Sequence, residues 1–173
     1  MVMDEATDLC RSCGLCCNGM LFDYVPVEEA EIERLAELGF AIWRGKDGAP
    51  RFDHPCPKFC GECAIYLERP ESCKRYRCEL LKKLEAGELS FAGASEIVGE
   101  AKDMIAAVKH LLATASTPML PMDWTRLFEK WQSTPPDQRK ESDSRLVLGQ
   151  TRLQRFLDIH FRSEEQRKAL DKP

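Results

Sequence analysis

No stretch of this 173-residue chain approaches the roughly 18 consecutive apolar residues that would span a bilayer. Its first residues, Met1-Val2-Met3-Asp4-Glu5, are acidic and lack the basic-then-apolar layout of an export signal, so a cytoplasmic location is expected. There is no excess of positive charge either. Lys and Arg number 25 against 29 Asp and Glu, a formal net charge of −4, which argues against gripping nucleic acid or anionic lipid through bulk charge. Internal repeats and low-complexity tracts are absent. So is a glycine-rich phosphate loop: Gly14 and Gly19 are isolated, and neither belongs to a GxGxxG pattern. Neither a GxSxG elbow nor an HExxH helix occurs, which removes the hydrolase and zincin signatures. Histidine is scarce, with three residues in all.

What is abundant is cysteine. There are nine: Cys10, Cys13, Cys16, Cys17, Cys56, Cys60, Cys63, Cys73 and Cys78, with none beyond. In a reducing compartment a disulfide framework is disfavoured, and an odd count pairs badly, so metal binding is the leading reading. The first cluster reads Cys10-x-x-Cys13-x-x-Cys16-Cys17, and two-residue gaps let consecutive thiolates turn onto one metal centre. The second reads Cys56-Pro57-x-x-Cys60-x-x-Cys63, followed by Cys73 and Cys78. Adjacent side chains diverge, so Cys16 and Cys17 either serve different centres or one of them has another task. Eight thiolates could fill two four-ligand sites, leaving Cys60 spare.

Zinc and iron–sulfur both accept four thiolates. Cys10, Cys13 and Cys16 match the start of the bacterial ferredoxin run, and Cys56-Pro57 its closing Cys-Pro, which tips the balance slightly toward an iron–sulfur cluster, such as [4Fe–4S], over zinc. The run Lys74-Arg75-Tyr76-Arg77 either offsets the negative charge of such a centre or is an ordinary solvated helix face. Tyr66 and Tyr76 are expected to wall the site, and Arg69 to anchor its loop on backbone carbonyls. His54, two residues before Cys56, is a substitute metal ligand or, more commonly for such a residue, a surface or hairpin histidine. His110 and His160 read as packing residues on helices.

Charge divides the chain: residues 1–40 carry 2 basic and 9 acidic side chains, residues 139–173 carry 9 and 6. The segment Leu21–Val25 has strand composition, and Pro26 is placed to open a helix striped by Val27, Ala30, Ile32, Leu35, Ala36 and Leu38 and stopped by Gly39. Residues 40–43 and 50–52 flank Asp47-Gly48 and predict a hairpin. Pro70 is expected to open one helix carrying Cys73 and Cys78 through Leu84 to Gly87. Beyond it, Phe91, Ala94, Ile97, Val98, Ala101, Met104, Ile105, Val108, Leu111 and Leu112 mark a long amphipathic helix ended by Pro118 and Pro121. A short helix is expected around Trp124, Leu127, Phe128 and Trp131, then a last long one through Leu146, Leu148, Leu153, Phe156, Leu157 and His160. Ser163 with Gln166 forms a capping box. Arg145, Arg152, Arg155 and Arg162, interspersed with Asp143 and Asp158, read as a solvated face rather than a binding stripe. The fold expected is mostly α, with a small loop-rich, cysteine-dense metal-binding lobe and a short β-hairpin. The lobe covers residues 1–88, with a helical region, 89–173, packed on it.

The strings Cys10-Arg-Ser-Cys13-Gly14-Leu-Cys16-Cys17 and Cys63-Ala-Ile65-Tyr66-Leu-Glu-Arg69-Pro70-Glu-Ser-Cys73-Lys-Arg-Tyr-Arg-Cys78 resemble the CxxCxxCC family, the YkgJ-like zinc- or iron-chelating proteins, over residues 8–85. The resemblance implies that Cys10, Cys13, Cys16, Cys17, Cys56, Cys63, Cys73 and Cys78 take the family's cysteine positions and that Cys60 is an addition. The family includes an iron–sulfur-dependent flagellin lysine methylase that uses S-adenosylmethionine. Two functions follow as expectations: a metal-binding protein whose helical half docks an unidentified protein partner, or an iron–sulfur-dependent transferase modifying a protein side chain.

Overall fold

The structure, a computed structural model, describes residues 4–114, 129 and 131–170. Two compact units divide the chain, residues 1–94 and residues 95–173. As expected the protein is mostly α with one small sheet. Among the described residues no helix is long and apolar enough to cross a membrane.

The first unit begins with helix α1 (Glu5–Cys13), which the cysteine spacing alone did not announce. Asp4 caps it, accepting a hydrogen bond from the Thr7 N–H at 2.8 Å, and Leu9 is its buried residue. Gly14 ends it in the left-handed conformation, with φ +70°. Three antiparallel strands follow, β1 (Tyr24–Pro26), β2 (Ile42–Arg44) and β3 (Pro50–Asp53), in the order β1-β3-β2. The register aligns Val25, Phe52 and Ile42 across the sheet. The expected hairpin is therefore β2–β3, and the strand-like segment adds a third strand three residues later than composition suggested. Pro26 closes that strand instead of opening a helix. The helical stripe starts with a 3-10 turn at Glu29–Glu31 and continues as α2 (Ile32–Glu37), stopped by Gly39 at φ +82°.

Val25, Val27, Leu35, Phe40 and Phe52 form the core of this unit, and Cys56 and Cys73 pack against it together with Ile65. The β-core thus fixes the base on which two of the thiols rest.

The single helix expected after Pro70 is two helices, α3 (Glu71–Arg75) and α4 (Glu79–Glu85). Tyr76 is extended (φ −67°, ψ 133°), and the Arg77 guanidinium donates to the carbonyls of Lys74 at 2.6 Å and Tyr76 at 3.0 Å. The side chain supplies at the break the donors that a continued helix would have taken from its backbone. Buried Glu31 accepts a hydrogen bond from the Glu71 N–H at 3.0 Å and so holds the start of α3. Against α1 lies α4.

Helix α5 (Phe91–Thr114) begins in the last residues of the first unit and, in the second, buries Val98, Ala101, Ile105 and Val108, following the expected stripe. The places where that helix ends and where a helix bearing Trp124, Leu127 and Phe128 was expected lie outside the described residues. Helix α6 (Glu141–His160) buries Leu146, Val147, Gln150, Leu153 and Leu157, while Leu148, expected inside, is 53 % exposed. Ser163 and Gln166 exchange hydrogen bonds, the expected capping box, and open α7 (Glu164–Leu170). Arg162 is not on a solvated face: it is buried and donates to Gln154 at 2.7 Å and Asp158 at 2.9 Å. His110 is exposed, and half-buried His160 stacks on Phe156 at 4.5 Å.

Candidate metal centre

Four separate pieces of chain bring the cysteines together. Cys10 and Cys13 lie on α1, one turn apart. Gly14 then reverses the chain so that Leu15 is fully buried and Cys16 and Cys17 follow in a turn closed by Asn18 N–H to the Gly14 carbonyl at 2.9 Å. A Cβ at position 14 would occupy the place of the Phe59 ring, so Phe59 seats the second cysteine loop directly on the first. The Cys56 N–H donates to the Cys17 carbonyl at 2.7 Å, and Arg11 pairs with Glu62 at 3.0 Å. Phe59 and Cys63 form a β-bridge that narrows the 56–63 loop. Cys73 arrives on α3, and Cys78 is the N-cap of α4, its sulfur accepting from the Leu81 N–H at 3.4 Å. Packing of α1 on α4 brings Cys78 to the Cys10–Cys16 segment.

All nine cysteines are free. Eight are half-buried, while Cys60 is exposed. Burial is the main reason the Cys16 thiol is held well above its ordinary pKa, with the charges of Cys78, Cys13, Cys17 and Cys10 adding to it. Cys17 is also pushed far up, first by burial and then by Cys56, Cys63, Cys73 and Cys10. Cys73 is raised to about 12 by burial, Cys56 and Cys63, against a lowering by Arg69. Burial likewise raises Cys56, Cys63 and Cys78. The charges that act most on the two neighbouring cysteines of the first motif differ, Cys78 and Cys13 on Cys16, and Cys56, Cys63 and Cys73 on Cys17, while Cys10 acts on both and Cys17 on Cys16.

Among the described residues no group of three or more His, Cys, Asp or Glu side chains is drawn up to hold a metal ion. The grouping and the chemistry of the donors nonetheless fit a thiophilic metal. Six thiols, Cys16, Cys17, Cys56, Cys63, Cys73 and Cys78, resist ionisation chiefly through burial, and each would give up a proton more readily to a cation placed among them.

Arg69 donates directly to a cysteine sulfur, while Arg11 and Lys58 act on Cys63 and Cys56 through their charge. The Arg69 guanidinium lies 3.8 Å from the centre of the Tyr66 ring and donates to the Cys10 sulfur at 3.9 Å. The expected anchoring of its loop through backbone carbonyls falls instead to Arg34, which donates to the Glu68 carbonyl at 2.8 Å. The basic run is committed elsewhere. Lys74 pairs with Glu71, Arg75 with Glu28 and Arg77 with Glu85, at 2.6, 2.7 and 3.0 Å. Tyr76 packs edge-on against Phe22 at 4.8 Å. His54 is not a surface residue: it is 6 % exposed, and neither ring nitrogen has a hydrogen-bond partner. Burial lowers its pKa, opposed by the nearby Cys17 carbonyl and the charges of Asp23 and Asp53.

An irregular half-chain whose cysteine-bearing pieces meet over a small β-core is, as a class, a cysteine-rich metal-chelating unit. The chain belongs to the CxxCxxCC family, whose model matches residues 9–94 and is described as "Putative zinc- or iron-chelating domain". Neither the curated proteins nor the solved structures contain a match.

Proposed function

We propose that the first unit carries two thiolate centres, one drawn from Cys10, Cys13, Cys16 and Cys78 and the other from Cys17, Cys56, Cys63 and Cys73. One observation carries this reading: beyond burial, Cys16 is acted on most by Cys78 and Cys13, and Cys17 by Cys56, Cys63 and Cys73, with Cys10 acting on both. Four thiolates per centre is the full complement of either a structural zinc or a cubane cluster. The ferredoxin-like Cys10-x-x-Cys13-x-x-Cys16 and Cys56-Pro57 favour iron–sulfur, which when bound would supply one-electron redox chemistry. The chain's own part is to hold the sulfurs, to offset their charge with Arg69, and to rest Cys56 and Cys73 on the β-core. Cys60 belongs to neither set.

Metal and acid-labile sulfide analysis, with a visible spectrum, on protein purified without oxygen tests the reading. Iron and sulfide in brown protein support the cluster. Two equivalents of zinc in colourless protein keep the two centres and replace the metal, and metal-free protein after reconstitution with either overturns the proposal.

A further inference from the structure

Helix α6 (Glu141–His160) turns one stripe, marked by Leu146, Leu153 and Leu157, into the core. About half a turn of the helix away, Arg145, Leu148, Arg152, Arg155 and Ile159 are all exposed. At about 100° per residue these five side chains share an arc of roughly 80°. Leu148 and Ile159 are 53 % and 54 % exposed and stand roughly 16 Å apart along the axis.

One exposed leucine on a surface needs no explanation. Here two large apolar side chains fall on the same narrow arc, opposite the core, where they contribute nothing to the packing of their own helix. The charges around them are of one sign for most of the length. Arg145 pairs with Glu141 at 3.6 Å, with both side chains largely in solvent. Arg152 and Arg155 have no hydrogen bond or ion pair among the described residues. The nearby carboxylate of Asp158 is engaged, accepting from Arg162 at 2.9 Å. A chain with a net charge of −4 therefore presents, on this one face, arginines whose charge is unanswered.

We propose that this face of α6 docks an acidic amphipathic helix of a partner protein. Leu148 and Ile159 enter between that helix's apolar side chains, and Arg152 and Arg155 meet its carboxylates. Charge complementarity selects this occupant. In a second copy of the chain, an antiparallel pairing of the two faces, centred on Arg152, would set that side chain against its own counterpart. Helices that lie on lipid present a broad apolar face, and in α6 the broad apolar face is the one turned to the core. The proposal gives the docking expected of the helical half a surface and does not depend on the metal centres.

The probe is a synthetic helical peptide with leucines three turns apart and glutamates between them, added to the nitrogen-15-labelled full chain purified without oxygen. Amide shifts should change along residues 145–159, and affinity should fall as salt rises, because exposed charges are screened within about 8 Å at 0.15 M. Arg152→Glu with Arg155→Glu, and separately Leu148→Ser with Ile159→Ser, should each weaken binding at least about tenfold while leaving the melting temperature unchanged. A peptide of the same composition with its leucines moved to opposite faces should bind at least about tenfold more weakly. Equal binding of the two peptides, unchanged affinity in both variants, or no binding at all would overturn the proposal. So would association with anionic phospholipid vesicles, or self-association of the chain, that the same substitutions abolish, since either would give the face a different occupant.

Discussion

The Arg69 guanidinium donates to the sulfur of Cys10 across 59 positions of sequence while stacked on its near neighbour Tyr66. One side chain therefore joins the Tyr66–Pro70 segment to α1 and sets a positive charge beside thiols that burial holds protonated.

Removing that charge should hinder metal loading. Arg69 lowers the pKa of Cys63 and Cys73, so in Arg69→Gln both thiols should ionise less readily. The pH at which half the metal is bound should move upward and affinity near neutrality fall about 10-fold, read by competition with a chromophoric chelator. Lysine, unable to keep the stacked fork geometry, should restore only part of the loss.

The two sets of thiols make opposite predictions for neighbouring residues. Cys16→Ser should lose the centre shared with Cys10, Cys13 and Cys78, and Cys17→Ser the other, each variant retaining about half the metal. Cys60→Ser should keep full content. Metal per chain, with the spectrum of what remains, decides it, and loss of all metal in either single variant would mean one shared centre.

Metal-free and metal-loaded protein should respond oppositely to alkali. Buried thiols whose folded pKa is raised, as at Cys73 to about 12, stabilise the fold fully below the unfolded thiol pKa near 8.5. That stability is lost as pH climbs from there toward 12, because unfolding releases a group that ionises in water. The urea midpoint of metal-free protein should therefore fall between about pH 8.5 and 12. With metal bound the protons have already gone, so the midpoint should rise from pH 6 to 8, and a chelator should abolish that rise.

Gly14 is a further point of leverage. Its left-handed backbone and the Phe59 ring over it leave no place for a methyl group, so Gly14→Ala should destabilise the first unit by ~1–2 kcal/mol. Thermal melting should show the loss, and faster thiol labelling of Cys56 and Cys63 should show that the Phe59 loop has lifted.

The long stripes of α5 and α6, the stop at Gly39, the β2–β3 pair and the Ser163–Gln166 cap were all legible, because each depends on neighbours within a few residues. The break between Cys73 and Cys78 was not, since the periodicity runs straight through it. What divides the helix there is the Arg77 side chain binding the carbonyls of Lys74 and Tyr76. Helix α1 carried a signal that cysteine spacing obscured: Asp4 as cap, Leu9 inside and Gly14 as stop.

By itself the sequence determined the inventory: nine thiols in two dense clusters, a chemistry suited to soft metals, and family motifs that a handful of spacings suffice to carry. Tertiary structure alone decided which thiols meet. Cys16 and Cys17 are adjacent in the chain yet differ in the thiols that act on them most, Cys78 for one and Cys56 for the other, and the basic run beside Cys73 pairs with surface carboxylates while Arg69 reaches sulfur. His54 went from a plausible surface residue to a buried one with two unmatched nitrogens. The physical reason is range. Spacing governs what a segment offers over one or two turns, whereas proximity among segments forty or more residues apart depends on how α1, the β-core and α4 pack.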